Sequence, residues 1–219
     1  STTVIYTLSL HDALPIFSRA ITLNNVAGNI LDVATTGTTG TLSGALGGLG
    51  GFTKTGAGTL ALTGTSANTF GGPINVNQGI VSLNKTGVNA LGAGGAVINS
   101  SAGPPATLQL GASNQIDNAA IITLNANGGV MALFDLNGFS DTIGGVLASS
   151  TTNGSATIRT GATGVLTLNG DIELNNNRNA TGNTNREVLI TGTGTYATAT
   201  PSGTLDLGGA VRTFTINSN

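Results

Sequence analysis

The sequence contains no cysteine and no tryptophan, and it has few charged residues of either sign. Without cysteine the chain can form neither a disulfide framework nor a thiolate metal site. The seven Lys and Arg residues are scattered and the net charge is −2, so no basic patch can release counterions from a phosphate backbone and we expect no nucleic-acid partner. No apolar run reaches about 18 residues, so we expect no membrane insertion of this fragment.

Small and neutral polar residues take the place of the missing charges. Charged residues make up 7% of the chain, against roughly 25% in ordinary domains. Glycine alone accounts for 35 of the 219 residues. Such a composition could mean disorder, but hydrophobic residues still make up 39% of the chain and recur as alternating Leu, Ile and Val. We therefore predict an ordered all-β chain.

The alternation is clearest between Gly50 and Asn84. Short segments of about five residues place apolar side chains at every second position, which is typical of strands because successive side chains leave a strand on opposite faces. Gly, Asn or Thr separates the segments, and no helical spacing lies between them. The alternating pairs are Leu60 with Leu62, Ile74 with Val76, and Val81 with Leu83.

The same short unit recurs along the chain. Its marker leucines are separated by intervals near multiples of about twenty, and internal recurrence of this kind indicates a repeat architecture. We therefore predict a solenoid with roughly 20 residues per coil. The markers are Leu60, Leu108, Leu166 and Leu205.

Three segments resemble the autotransporter-associated β-strand repeat. Thr53–Gly64 is similar to its lysine-threonine-glycine-x-glycine-threonine-leucine core, Ser66–Gly72 to its asparagine-threonine-aromatic element, and Val76–Leu83 to its closing unit. A further stretch, Phe134–Gly145, is similar to another recurring element of these passengers. The resemblance implies a right-handed parallel β-helix, exported as a secreted or bacterial cell-surface passenger of the outer membrane. It also implies a downstream β-barrel translocator in the full-length chain.

The ends of the chain and one polar stretch differ from this pattern. Residues 1–17 resemble the translation of a sequencing-library adapter, and we interpret them as an artefact; the alternative, a signal-peptide remnant, lacks a basic start and is interrupted by Asp12. We interpret residues 18–219 as a β-helix passenger fragment that is incomplete at both ends. Asn175–Asn185 is predicted to be a loop projecting from the rod.

Few residues have the chemistry of a catalytic site. His11 is the only histidine, and it lies in the suspect segment. Asp135 and Asp141 flank the Asn137-Gly138 turn and could form the carboxylate pair of a polysaccharide-cleaving enzyme. With no Lys or Arg nearby in sequence, we favour the interpretation that both cap turns.

Two further acidic residues, Asp171 and Glu173, are two positions apart and share one face of a strand. They could form half of a cation site, but a solvated face is the favoured interpretation. We interpret Lys54, which belongs to the repeat motif, as a solubilising surface lysine. We therefore assign no catalytic, cofactor-binding or metal-binding residue.

The sequence favours a structural stalk that presents loops or more distal domains for adhesion. Its partners would be glycans or proteins of host or environmental surfaces. Two alternatives remain open. One is a β-helix polysaccharide lyase or glycosidase, which requires three or more carboxylates to converge beside a basic residue. The other is a self-assembling surface matrix protein, which the low charge favours.

Overall fold

A computed structural model describes residues 7–10, 16–26, 28–101, 103–151, 153–176, 187–191 and 203–218. In this part of the chain the backbone forms 22 β-strands and no helix. Every pair of neighbouring strands is parallel, and each strand pairs with its counterpart one coil further along the chain. The predicted all-β parallel solenoid is therefore confirmed.

The strands stack into two long sheets and two short ones. The first sheet has nine strands: β1 (Thr7–Leu10), β4 (Ile30–Val33), β7 (Phe52–Thr55), β9 (Ile74–Val76), β11 (Ala96–Ser100), β13 (Ile121–Ala126), β16 (Gly145–Ser150), β19 (Ile172–Asn176) and β22 (Phe214–Ser218). The second has eight: β2 (Ile16–Phe17), β5 (Thr39–Leu42), β8 (Thr59–Leu62), β10 (Gly79–Leu83), β12 (Ala106–Leu110), β14 (Met131–Asp135), β17 (Ser155–Arg159) and β20 (Glu187–Thr191). The third has β15 (Asp141–Ile143), β18 (Val165–Leu168) and β21 (Thr204–Asp206), and β3 (Ile21–Thr22) pairs with β6 (Leu46–Gly47).

Most coils are longer than the roughly 20 residues that the sequence spacing predicted, although Thr39 of β5 pairs with Thr59 of β8, a step of 59 − 39 = 20 residues. In the first sheet β7 pairs with β9 and β9 with β11. Asn77, directly after β9, and Asn99, on β11, are outward neighbours 22 residues apart, which is the length of one coil. From Asn99 to Asn125, the equivalent position on β13, the step is 26 residues. The strands themselves stay short, so the extra residues lie in the corners, where length varies without disturbing the register.

The core is a set of axial rows inside the coil. Along the second sheet, buried apolar side chains from successive strands stack directly on one another, and strand alternation brings them inside. Burying one such side chain contributes about 1.5–3 kcal/mol, and a one-residue slip would turn the whole row outward. The row consists of Leu60, Val81, Leu108, Phe134 and Ile158.

Three sequence predictions concern particular segments. Asn137 and Gly138 both have positive φ, 52° and 83°, which confirms the predicted turn. Of the predicted loop Asn175–Asn185, residues 175 and 176 belong to β19 and the others lie outside the described residues. Within residues 1–17, β1 and β2 pair in parallel with β4 and β5.

Candidate functional site

Asp135 and Arg159 form an ion pair between neighbouring coils. They are the last residues of β14 and β17 and are register partners, and their side chains point outward from the coil. Arg159 Nη2 donates to Asp135 Oδ2 at 2.6 Å and Nε donates to Oδ1 at 3.1 Å. Gln109 Nε2, from the coil before, donates to the same carboxylate at 3.1 Å, and the amide of Asn137 donates at 2.9 Å. The coil therefore supplies the basic neighbour that is missing near Asp135 in sequence.

These contacts determine whether the carboxyl of Asp135 is ionised. The residue is 2% exposed. Burial raises the pKa of its carboxyl, but the hydrogen bonds from Arg159, Gln109 and Asn137 outweigh burial and hold the pKa below its usual range. The carboxylate stays ionised and has four donors. It is suited to holding Arg159 in place and capping the turn, rather than to transferring a proton.

Asp141 is also buried, but it lies on the third sheet and faces the interior. Its Oδ2 accepts from the amide of Gln115 at 2.7 Å, and Oδ1 accepts from the amide of Thr142 at 2.9 Å. Burial raises the pKa of this carboxyl to about 6, against the opposing effect of the backbone donors. Asp141 thus accepts from backbone amides of its own strand and of the coil before it, and its side chain faces a different side of the coil from that of Asp135.

Asp171 and Glu173 are exposed at the start of β19. Asp171 Oδ1 accepts from the amide of Thr213 at 2.8 Å, and Glu173 Oε1 accepts from Asn175 Nδ2 at 3.0 Å. Among the described residues, no three His, Cys, Asp or Glu side chains gather where a metal ion could sit. His11 lies outside the described residues.

Lys54 is not a surface residue, and this prediction was wrong. It is 0% exposed and occupies a core row of the first sheet between Leu31 and Val76. Its Nζ donates to the carbonyls of Thr55, Gly56 and Gln78 at 2.6, 2.8 and 3.3 Å. Burial lowers the pKa of this amine to about 8, although the charge of Asp32 opposes the shift. The ammonium thus joins the carbonyl groups of two successive corners.

A second buried lysine begins what we call the axial column, which comprises Lys85, Gln115 and Asp141. Lys85 Nζ donates back to Thr63 O at 2.8 Å and Gly44 O at 3.3 Å, and burial lowers the pKa of this amine. The column continues through Gln115 to Asp141, because each member hydrogen-bonds the backbone of the coil before it. Sequence reasoning missed Lys85 and Gln115. The alternation of Val81 and Leu83 continues to Lys85 and could have indicated its burial, whereas Gln115 belongs to no alternating segment.

The repeat motif itself supplies two more buried anchors. Asn68 Oδ1 accepts from the amide of Leu46 at 2.9 Å, and its Nδ2 donates to Ala90 O at 2.8 Å, so one side chain joins three coils. Phe70 packs on Phe52 with ring centroids 5.9 Å apart. The polar and aromatic residues of the motif thus make contacts between coils at the corners, where the sheets are interrupted.

Residues 52–83 match the model of the passenger-associated-transport-repeat family. No curated protein and no solved structure matched the chain. The chain therefore carries a passenger repeat on a parallel β-solenoid, and this combination fits the stalk of a passenger. In the described part of the chain no helix has the length and apolarity to cross a membrane.

Proposed function

We propose that this chain is a stalk segment of a secreted or cell-surface passenger that holds adhesive loops or more distal domains away from the cell. The observation that supports this best is the passenger repeat at residues 52–83 lying inside a continuous solenoid. Strands about 4.8 Å apart in a nine-stranded sheet give a rod roughly 40 Å long. Its function is mechanical, since a rod with axial core rows keeps its register under load.

The buried polar anchors support the same role. Asn68, Lys85 and Gln115 each hydrogen-bond to a coil other than their own. Such contacts resist separation of the coils, and unpairing any one of them leaves buried backbone groups unsatisfied. A spacer that must transmit force along its axis needs this kind of contact more than it needs a pocket.

Surface location can be tested on intact source cells with an antibody against the chain. We expect the antibody to label unpermeabilised cells, and we expect external protease to remove the label. Labelling that appears only after lysis would contradict the proposal. Sequencing through the gene downstream of residue 219 tests the accompanying expectation of a translocator.

Rod shape can be tested on the purified chain by small-angle X-ray scattering at increasing concentration. A stalk gives a scattering profile of an elongated particle that does not change with concentration. Particles that lengthen as concentration rises would favour the self-assembling matrix protein instead. Turnover of a polysaccharide by the same preparation would favour the enzyme, although Asp135, Asp141 and the Asp171–Glu173 pair lie on three different sheets or faces.

A further inference from the structure

One outward row of the first sheet has uniform chemistry along almost its whole length. At the same register position, in or just after eight successive strands, every residue is polar. We call this set the amide row; it consists of Asp32, Thr55, Asn77, Asn99, Asn125, Ser149, Asn175 and Asn217. Five of its eight members carry a side-chain amide.

Strand formation does not require such uniformity. The other outward row of the same strands, two residues earlier, mixes polar, apolar and charged side chains. That row contains Ile30, Thr53, Asn75, Val97, Thr123, Leu147, Glu173 and Thr215. Asparagine is a poor strand former, so its repeated use at one position has a cost that solvation alone does not explain.

Internal hydrogen bonding uses only part of the capacity of the amide row. Asn125 Nδ2 donates to Asn99 Oδ1 at 2.9 Å, and Asn99 Nδ2 donates to Asn77 Oδ1 at 3.4 Å. Thr55 Oγ1 donates to Asp32 Oδ1 at 2.7 Å, and Asn217 Nδ2 donates to Asn175 Oδ1 at 2.8 Å. Among the described side chains, no hydrogen bond joins Asn77 to Thr55 or Asn125 to Ser149. An amide offers two donors and an oxygen with two lone pairs. The row therefore keeps donors and acceptors directed at solvent.

A groove runs beside the N-terminal half of the row. It has a volume of about 510 Å³ and is lined by Thr55, Asn77, Gln78, Asn99 and Ser101. None of these side chains is charged, and all can both donate and accept hydrogen bonds. The groove thus places the capacity of the amide row in a concave surface, which is where ligands bind.

We propose that the amide row and its groove bind a linear, uncharged polysaccharide. Hydroxyl groups donate and accept equally, so they complement neutral amides better than carboxylates or ammonium groups do. The row repeats at the strand spacing of about 4.8 Å, a distance comparable to one sugar ring in an extended chain. Each contact is weak, but successive rings of one polymer engage successive coils, and the contacts reinforce one another. This inference rests on the proposed stalk, because it assigns an adhesive partner to that rod.

The test is affinity electrophoresis of the folded chain in gels that contain hydroxyethyl cellulose, galactomannan or polygalacturonate. We expect at least one of the two neutral polymers to retard the protein, with little change when salt is raised, since no charge pairing is involved. Polygalacturonate should retard it less. Retardation by polygalacturonate alone, or by none of the three polymers, would overturn the proposal.

Substitution locates the site. Asn77→Val, Asn99→Val and Asn125→Val together should weaken retardation at least about tenfold, through lost hydrogen bonds. The matched control carries Asn75→Val and Thr123→Val, which place valine on the neighbouring row of the same first and last coils. Equal retardation of the two variants would refute the assignment. A cooperative thermal unfolding transition in each variant verifies that both fold. If the chain is rod-shaped by scattering and lies on the cell surface but binds no polymer, the polysaccharide proposal is refuted and the stalk proposal still holds.

Discussion

The side chain of Gln115 pairs with the peptide groups of Lys85 in the coil before it. Its Oε1 accepts from the Lys85 amide at 2.7 Å, and its Nε2 donates to the Lys85 carbonyl at 3.0 Å. Gln115 is 0% exposed. A side chain here satisfies both backbone groups, as a neighbouring strand would. The backbone groups at this corner are therefore hydrogen-bonded although no sheet reaches it.

This pairing makes Gln115→Met a strongly destabilising substitution. Methionine keeps the volume but leaves the amide and carbonyl of Lys85 unpaired in the interior, and each such group costs about 1–3 kcal/mol. We expect the free energy of unfolding to fall by about 2–4 kcal/mol in urea denaturation. The control is Gln109→Met, which loses one hydrogen bond at a half-buried outward site and should cost less than half as much. Equal losses at the two positions would show that the Lys85 pairing has no special weight.

The buried amine of Lys54 predicts a stability change at alkaline pH. Its pKa is about 8 in the folded chain, against 10.5 for a lysine side chain free in water, so between these values the unfolded chain binds more protons. Stability must then rise with pH across that range. Relative to a Lys54→Met variant, the wild type should gain stability between pH 8 and pH 10.5. A difference that stays flat across this range would mean that the amine titrates normally. NMR titration of the lysine side chain checks the pKa directly.

Lys54 also shows how far the sequence could lead. The alternation of Phe52 and Lys54 with the outward Thr53 and Thr55 already placed Lys54 inside, and the same kind of alternation correctly predicted the strands and the core leucines. The prediction failed because the general preference of lysine for the surface was given more weight than the local period. The carbonyls that satisfy its charge come from the turn after its strand and from the next coil, and the second of these could not be known without the register.

The register is what the sequence left undetermined. Asp135 and Arg159 are 24 residues apart, and their contact follows only from a coil length that varies from corner to corner. The marker leucines indicated too short a coil because the number of coils between them could not be counted from the sequence. Leu60 and Leu108 share one row and are two coils apart, whereas Leu166 and Leu205 are partners in adjacent strands. Leu108 and Leu166 lie on different sheets. Fold class and strand positions are local properties, whereas every polar contact between coils depends on corner lengths. The acidic residues could therefore be named from the sequence, but their partners could not.

The two buried aspartates should respond to acid in opposite directions. The pKa of Asp141 is raised to about 6, so its stabilising contribution is present at low pH and is lost as pH rises through 6. The pKa of Asp135 is lowered, so its contribution is present at neutral pH and is lost as pH falls below the usual carboxyl range. For each aspartate we compare the free energy of unfolding of the wild type with that of its asparagine variant. The advantage of the wild type over Asp141→Asn should shrink from pH 4 to 6.5. Its advantage over Asp135→Asn should grow from pH 2.5 to 4. Two curves of the same sign would contradict this assignment.

A double-mutant cycle measures the ion pair between the coils. Arg159→Met leaves Asp135 a nearly buried carboxylate without its strongest donor, and we expect a loss of about 1–3 kcal/mol, since the arginine side chain is 39% exposed and water screens the pair. Asp135→Asn removes the charge as well. The double variant should therefore lose less than the sum of the two single variants, with a coupling of about 1 kcal/mol. Simple additivity would show that the pair contributes nothing beyond its separate side chains.

Two glycines have nearly the same backbone conformation but different surroundings. Substituting each one distinguishes backbone strain from steric crowding between coils. Gly37 and Gly56 have φ of 82° and 75°, and alanine is strained by about 1–2 kcal/mol in this region. A Cβ at Gly37 would have no atom within 4 Å, whereas at Gly56 it would lie 2.4 Å from the carbonyl oxygen of Val33 in the coil before. Gly56→Ala must therefore also push two coils apart beside the Lys54 ammonium, and we expect it to cost at least about 2 kcal/mol more than Gly37→Ala in thermal or urea unfolding. If the two variants lose the same stability, backbone strain alone explains the glycine, and close contact between coils is not what the repeat requires at this corner.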